Sequence, residues 1–141
     1  MSFYLDTNIV VPLFIPEATS GLLERWLDER GETAVVGDLV AGEFCATISR
    51  LVRMGELSPT RAEQTRDYFD AWHKSAVLAV GNEASDIRAA ARLVRDPYPK
   101  LLMPDAIHLA TCRRLGLTLV TLDVELADVA RARSIDILVP E

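Results

Sequence analysis

The sequence predicts an α/β protein, a three-layer α/β/α sandwich built on a mostly parallel central sheet of about five strands. Two observations carry this reading. Short apolar runs alternate with helical patterns along the whole chain, and several of those runs stop at a polar residue able to open a helix. Strict alternation leaves successive strands parallel and covers both faces of the sheet with helices.

Residues 3–5 are the first apolar run, closed by Asp6, and residues 34–36 are the second, bounded by Thr33 and Gly37. Between them, Ser20 is placed to cap a helix with Leu22, Leu23, Trp26 and Leu27 on one stripe, and Gly31 to end it in the left-handed conformation. Asp38 is placed as the N-cap of a long helix in which Val40, Phe44, Ile48, Leu51 and Val52 recur at helical spacing as far as Gly55. Ser58 and Pro59 then supply a cap and a first-turn proline for a helix that reaches Tyr68, Phe69 and Trp72. Residues 77–80 are the third strand. Ile87, Ala90, Ala91 and Val94 form an amphipathic stripe, ended by the stiff Asp96-Pro97-Tyr98-Pro99 loop. A helix from Pro104 to Gly116 follows, then a strand over 117–122, a short helix capped by Asp123 through Ala130, and a fifth strand over 135–139.

With 141 residues the chain reads as one domain over 1–141, long enough to bury roughly 68–70% of its unfolded surface without a metal or disulfide staple. Half of the residues are apolar and 26% charged, which excludes a disordered tail, a coiled coil and a collagen-like repeat. Cys45 and Cys112 fall in predicted helices with no CxxC or Cys/His cluster, so both are expected to be buried free thiols. The charge-free run from Thr7 to Pro16 is interrupted by Pro12 and is shorter than the ~20 residues a bilayer span needs. Asp6 precedes that run, unlike the basic-then-apolar order of a secretory signal, so a cytoplasmic protein is expected. The net charge of −6 opposes broad, nonspecific attraction to nucleic acid, yet is compatible with a selective enzyme.

In open parallel sheets, ligands bind at the carboxyl ends of the strands. Four carboxylates are predicted near that edge: Asp6 after the first strand, Glu43 in the second turn of the helix following the second, Asp105 in the first turn of its helix, and Asp123 after the fourth strand. Four such groups brought together cannot all stay ionised without compensation, and a divalent cation supplies it. Hard oxygen donors with no Cys or His among them favour Mg²⁺ or Mn²⁺. Such an ion suits phosphate chemistry, so hydrolysis of a phosphodiester is the expected reaction.

Each of these residues also has a plainer explanation. Asp123 is a good N-cap by itself. Asp105 favours the positive end of its helix, although with Leu109 and Cys112 it lies on a partly apolar face where an uncompensated charge is costly. Glu43 borders the apolar stripe of its helix, and Asp6 stands between an apolar strand and an apolar helix. His108 reads as a packed or partly exposed histidine rather than a general base. Arg88, Arg92 and Arg95, like Arg113 and Arg114, read as solvated faces, whereas Arg50, Arg53 and Lys100 are candidates for phosphate contacts if they line the groove.

The segments Tyr4-Leu5-Asp6-Thr7-Asn8, Gly42-Glu43-Phe44, Pro104-Asp105-Ala106-Ile107-His108-Leu109-Ala110 and Thr121-Leu122-Asp123 resemble, in order, the motifs of PIN-domain ribonucleases, and among these most resemble VapC-type toxins. The resemblance implies a PIN-like fold in which Asp6, Glu43, Asp105 and Asp123 ligate one or two Mg²⁺ or Mn²⁺ ions, with Asp6 and Asp105 the principal ligands. It implies that Glu43 holds the second ion or the attacking water, and that Asn8 and Thr121 orient the carboxylates. It further implies RNA cleavage to 5′-phosphate and 3′-hydroxyl ends, a homodimer, and an antitoxin protein whose C-terminal segment enters the groove. Two rivals remain. One is a noncatalytic module of the same fold that binds RNA or protein; the other is a haloacid-dehalogenase-like phosphatase, in which Asn8 would occupy the place of the acid.

Overall fold

The computed structural model describes residues 2–141. The chain runs β1 (Phe3–Leu5), α1 (Thr7–Phe14), α2 (Ser20–Arg30), β2 (Ala34–Gly37), α3 (Asp38–Arg53), α4 (Pro59–Ser75), β3 (Leu78–Val80), α5 (Ala84–Leu93), α6 (Met103–Leu115), β4 (Thr118–Val120), α7 (Val124–Ala132) and β5 (Ile137–Leu138). All strand pairs are parallel, in the order β3-β2-β1-β4-β5. Tyr4 pairs with Val35 on one side and with Leu119 on the other. The α/β sandwich predicted from the alternation is therefore the observed fold.

Strand burial explains the sequence pattern. β1 and β4 are buried at every residue and β2 at all but its first, so they read as continuous apolar runs rather than alternating ones. β3 is an exposed edge, and β5 is a two-residue edge. The chain steps outward from β1 through β2 to β3, then crosses back to β4 and β5. Right-handed crossovers place α1 to α4 on one face and α5 to α7 on the other. The packing follows, with α1 against α2, α3 and α4, and α5 against α6. On the first face Phe44 stacks on Phe69 with ring centroids 4.1 Å apart, and Phe14 meets both rings edge-on.

Several predicted details shift. Ser20 lies inside the first turn of α2 rather than capping it; its hydroxyl instead donates to the Pro12 carbonyl at 2.6 Å and accepts from the Glu17 N–H. Asp38 is the first helical residue of α3, and Gly37 holds the cap position. Gly31 and Gly116 do end their helices in the left-handed region, at φ of 58° and 64°. Cys112 is buried as expected, but Cys45 is exposed. Its neighbour Phe44 lies on the buried Val40, Phe44, Ile48 stripe, and one helical step of about 100° turns Cys45 to the outside.

The largest correction concerns α5. Its buried residues are Asp86, Ala90 and Leu93, whereas Ile87 is 44% exposed, so the face is rotated by one position from the apolar stripe in the sequence. Arg114 explains this. Its Nε and Nη2 donate to the two Asp86 oxygens, both at 2.8 Å, and Asp86 also accepts the Glu83 N–H. The Arg114 pairing thus replaces a solvated face with a tie between α5 and α6. The Arg114 hydrogen bonds, followed by the Glu83 N–H, hold the Asp86 carboxyl below its usual range despite burial.

Asp86→Asn is accordingly expected to cost about 2–3 kcal/mol, at or just below the ~3–5 kcal/mol for breaking a fully buried pair, because Arg114 retains partial solvent access. Thermal melting should show a drop of about 5–10 °C at neutral pH. Because the folded carboxyl titrates below the unfolded one, the contribution is complete above the unfolded value of 3.8 and vanishes as pH falls through the folded value. Wild type and variant should therefore converge in strong acid.

Candidate active site

β1 is the strand from which the chain departs in both directions, and its carboxyl end beside β4 is the switch point where open parallel sheets bind ligands. The backbone N–H of Asp6 donates to the Val120 carbonyl at 2.9 Å, which locks the two strand ends together just where they release their polar residues.

Asp6 is 6% exposed and caps α1, its Oδ1 accepting the Thr7 N–H at 2.7 Å. Its Oδ2 accepts the hydroxyl of fully buried Thr121 at 2.7 Å. The Thr121 oxygen in turn accepts from Asn8 Nδ2 at 3.0 Å and from the Asp123 N–H at 3.1 Å, while Asn8 Oδ1 accepts the Leu122 N–H at 3.0 Å. Asn8 and Thr121 thereby clamp the start of α1 to the turn after β4. Asp123 caps α7, its Oδ1 accepting the Leu126 N–H at 3.0 Å, so its capping role is satisfied through one oxygen.

Asp6, Asp105 and Asp123 line one cleft of about 460 Å³, together with Thr7, Thr47 and Arg50. Asp105 and Asp123 are shared with a smaller adjoining cavity of about 100 Å³ that Lys100 borders. Arg50 and Lys100 thus flank the carboxylates from opposite sides, while Arg53 lines neither cavity. Glu43 lines neither cavity, although its side chain is 32% exposed. Its Oε1 accepts the Thr7 hydroxyl at 3.0 Å, and Thr7 is part of the wall.

Electrostatics agree with this crowding. Burial, and then the Asp6 charge, push the Asp105 carboxyl up to about 6; Asp123 and Glu43 add to the rise and His108 opposes it. Burial also raises Asp6, against the opposing His108 ring and the hydrogen bonds from Thr121 and Thr7. Glu43 is shifted the other way. Burial is the largest single influence and raises it, but the His108 hydrogen bond, the electrostatic attraction of the same ring and the Thr7 hydrogen bond together outweigh burial. These are hard oxygen donors whose charges oppose one another, which is the chemistry a divalent cation relieves. Among the described residues, however, no three His, Cys, Asp or Glu side chains stand close enough together to hold an ion between them as placed.

The sequence reading missed the partners of Glu43. His108 is fully buried, with Nε2 2.6 Å from Glu43 Oε1 and Nδ1 2.7 Å from the Tyr4 hydroxyl. It is packed, as predicted, but it is also wired to the acidic site. Three helical positions turn by about 300°, so His108 lies within about 60° of Asp105 on α6 and faces the same strand ends. A signal for this lay in the sequence: Tyr4 puts a hydroxyl inside an otherwise apolar strand, and a buried hydroxyl needs a partner.

Comparison with known proteins bears on this geometry. Residues 3–132 match the family model described as the PIN domain. The chain is 30% identical over 142 aligned positions to Ribonuclease VapC35 of Mycobacterium tuberculosis, covering 97% of this chain and 96% of the relative. Among solved structures it is similar to VapBC2 from Rickettsia felis bound to a DNA fragment from its promoter, with a TM-score of 0.73, 17% identity and full coverage of both chains. It is also similar to VapC20 of Mycobacterium tuberculosis, described as a sarcin-ricin loop cleaving toxin, with a TM-score of 0.69, 20% identity and coverage of 89% and 93%.

Proposed function

Because this chain belongs to the PIN-domain family, we propose that its carboxylate cleft is the active site of an endoribonuclease, the toxin of a VapC-type toxin-antitoxin pair. The observation that supports this best is the cleft itself: Asp6, Asp105 and Asp123 arrive from three distant parts of the sequence at one strand edge, with Glu43 tied to its wall through Thr7. An antitoxin protein is the partner, and RNA the substrate. A single domain over 1–141 and a homodimeric assembly complete the reading. No helix among the described residues is long and apolar enough to cross a membrane.

In this reading Asp6 and Asp105 are the principal holders of Mg²⁺ or Mn²⁺, with Glu43 and Asp123 as further ligands or as acceptors for an attacking water. The cation, when bound, polarises the phosphoryl oxygen and eases loss of a proton from water. The chain's own contribution is to hold the carboxylates ready. Thr121 and Thr7 fix the two oxygens of Asp6, so its orientation is set before any ligand arrives. Arg50 and Lys100 offer positive charge on either side for the flanking phosphates, offsetting the repulsion of an acidic protein. The phosphatase alternative is disfavoured by Asn8, whose amide is committed to Thr121 and Leu122 and carries no proton to donate as an acid would.

The decisive experiment is end-mapping of total cellular RNA after brief expression of the wild type beside Asp6→Asn. Discrete new 5′-phosphate ends are expected with the wild type alone. Intact RNA that co-purifies with the protein would instead show a binding module. With purified protein, cleavage should stop in EDTA and return with Mn²⁺; equal activity in EDTA would refute the metal reading.

A further inference from the structure

From the core to the cleft wall runs a chain of hydrogen bonds, buried at its inner end: the Tyr4 hydroxyl to His108 Nδ1 at 2.7 Å, His108 Nε2 to Glu43 Oε1 at 2.6 Å, and the Thr7 hydroxyl to that same Oε1 at 3.0 Å. Tyr4 and His108 are both fully buried, so the Tyr4 proton needs an acceptor, and Nδ1 is the one within reach. That leaves the ring proton on Nε2, donated to Glu43. Among the described residues both bonds to Glu43 fall on Oε1, and Oε2 receives none.

We propose that His108 is a positioning residue for the endoribonuclease: oriented by Tyr4, it tethers Glu43 through Oε1 and leaves Oε2 without a hydrogen-bond partner among the described residues, available to the cation or the attacking water. The inference rests on the metal-dependent nuclease reading given above. Gly37 is part of the device. A methyl group at Gly37 would overlap the Tyr4 hydroxyl and crowd its ring, so the absence of a side chain there is what lets Tyr4 reach His108. The arrangement joins β1, the start of α3 and the first turns of α6 in one buried line, an outer layer of the kind that sets ligand orientation in metal sites.

The test separates positioning from mere packing. In metal-free wild type, nitrogen chemical shifts of the His108 ring should show the proton on Nε2; a proton on Nδ1 alone would overturn the proposal, whatever the activity. His108→Ala should weaken Mn²⁺ binding measured by calorimetry without RNA by about 10–100-fold and lower kcat on a mapped RNA oligonucleotide, with KM little changed. His108→Gln, whose amide N–H can reach Glu43 in place of Nε2, should recover most of both. Tyr4→Phe and Gly37→Ala, which free the ring without touching Glu43, should fall between the two. Wild-type Mn²⁺ affinity and kcat in folded His108→Ala would refute the tether, as would a folded His108→Gln as defective as His108→Ala. If His108→Ala does not fold, the Gln and Tyr4→Phe variants decide by the same readouts. Should the wild type bind no Mn²⁺ at all, the metal reading fails, while the ring-nitrogen result still judges the hydrogen-bond geometry by itself.

Discussion

Asp6→Asn is expected to lower RNA cleavage by about a thousandfold or more while the protein stays folded. The loss follows from position: Asp6 is the carboxylate at the switch point, both its oxygens are held in place, and it opens onto the cleft shared with Asp105 and Asp123. On the proposed metal reading, removing one anionic ligand would forfeit several kcal/mol of charge stabilisation, and each ~1.4 kcal/mol is a factor of ten in rate. The fold survives because asparagine is as good an N-cap as aspartate, so α1 keeps its bond from the Thr7 N–H. Melting should move by no more than about 1 kcal/mol equivalent. Single-turnover cleavage alongside a thermal melt checks both halves; full activity in a folded variant would remove Asp6 from the active site.

Asp105→Asn should raise stability while having the same effect on activity. In the metal-free protein the Asp105 carboxyl titrates near 6 rather than 3.8, because it is buried and then because Asp6, Asp123 and Glu43 surround it with like charge. The folded state therefore keeps this proton where the unfolded chain has released it. Stability falls as pH rises between about 4 and 6, and the full penalty persists above that window. Replacing the carboxylate by an amide removes the penalty, so the variant should be more stable than the wild type by about 1–2 kcal/mol at pH 7.5, after allowance for solvent screening. That corresponds to a melting point several degrees higher, with the gain closing near pH 4. On the proposed metal reading, saturating Mn²⁺ should narrow or reverse the difference, since the wild type gains more from the ion than a variant lacking one ligand. A variant less stable than the wild type in metal-free buffer at pH 7.5 would show that Asp105 is not under repulsion. Activity bought at the expense of stability is a common trade at functional sites, and this pair of measurements would locate it in one residue.

How much of this was readable beforehand depends on which physical force placed each residue. Sheet, helices and the acidic edge were legible because apolar periodicity and caps are local: Asp123 and Ser58 cap as their sequence contexts require, and Val40, Phe44 and Ile48 point inward at the spacing that predicts it. The α5 face was misread because a long-range ion pair overrode a local apolar pattern. Asp86 turned inward to reach Arg114, 28 positions away, and carried Ile87 to the surface. The Tyr4, His108 and Glu43 line has only an indirect signal, the lone hydroxyl in the apolar first strand, since its members lie 104 and 65 positions apart and no spacing rule names the partners. Cys45 was a simpler miss, an average preference for burial applied to a residue on the outer side of its helix.

The strand order carries a last consequence, for the time during which the protein is being made. β1 lies mid-sheet, and its neighbour β4 comes from residues 118–120, so the two strands whose ends form the cleft are separated by most of the chain. A nascent polypeptide still on the ribosome carries Asp6 and Glu43 early, but it lacks Asp105, Thr121 and Asp123 until synthesis is nearly complete. A chain that stops before residue 118 consequently lacks β4, Thr121 and Asp123, and with them the side of the cleft that they complete.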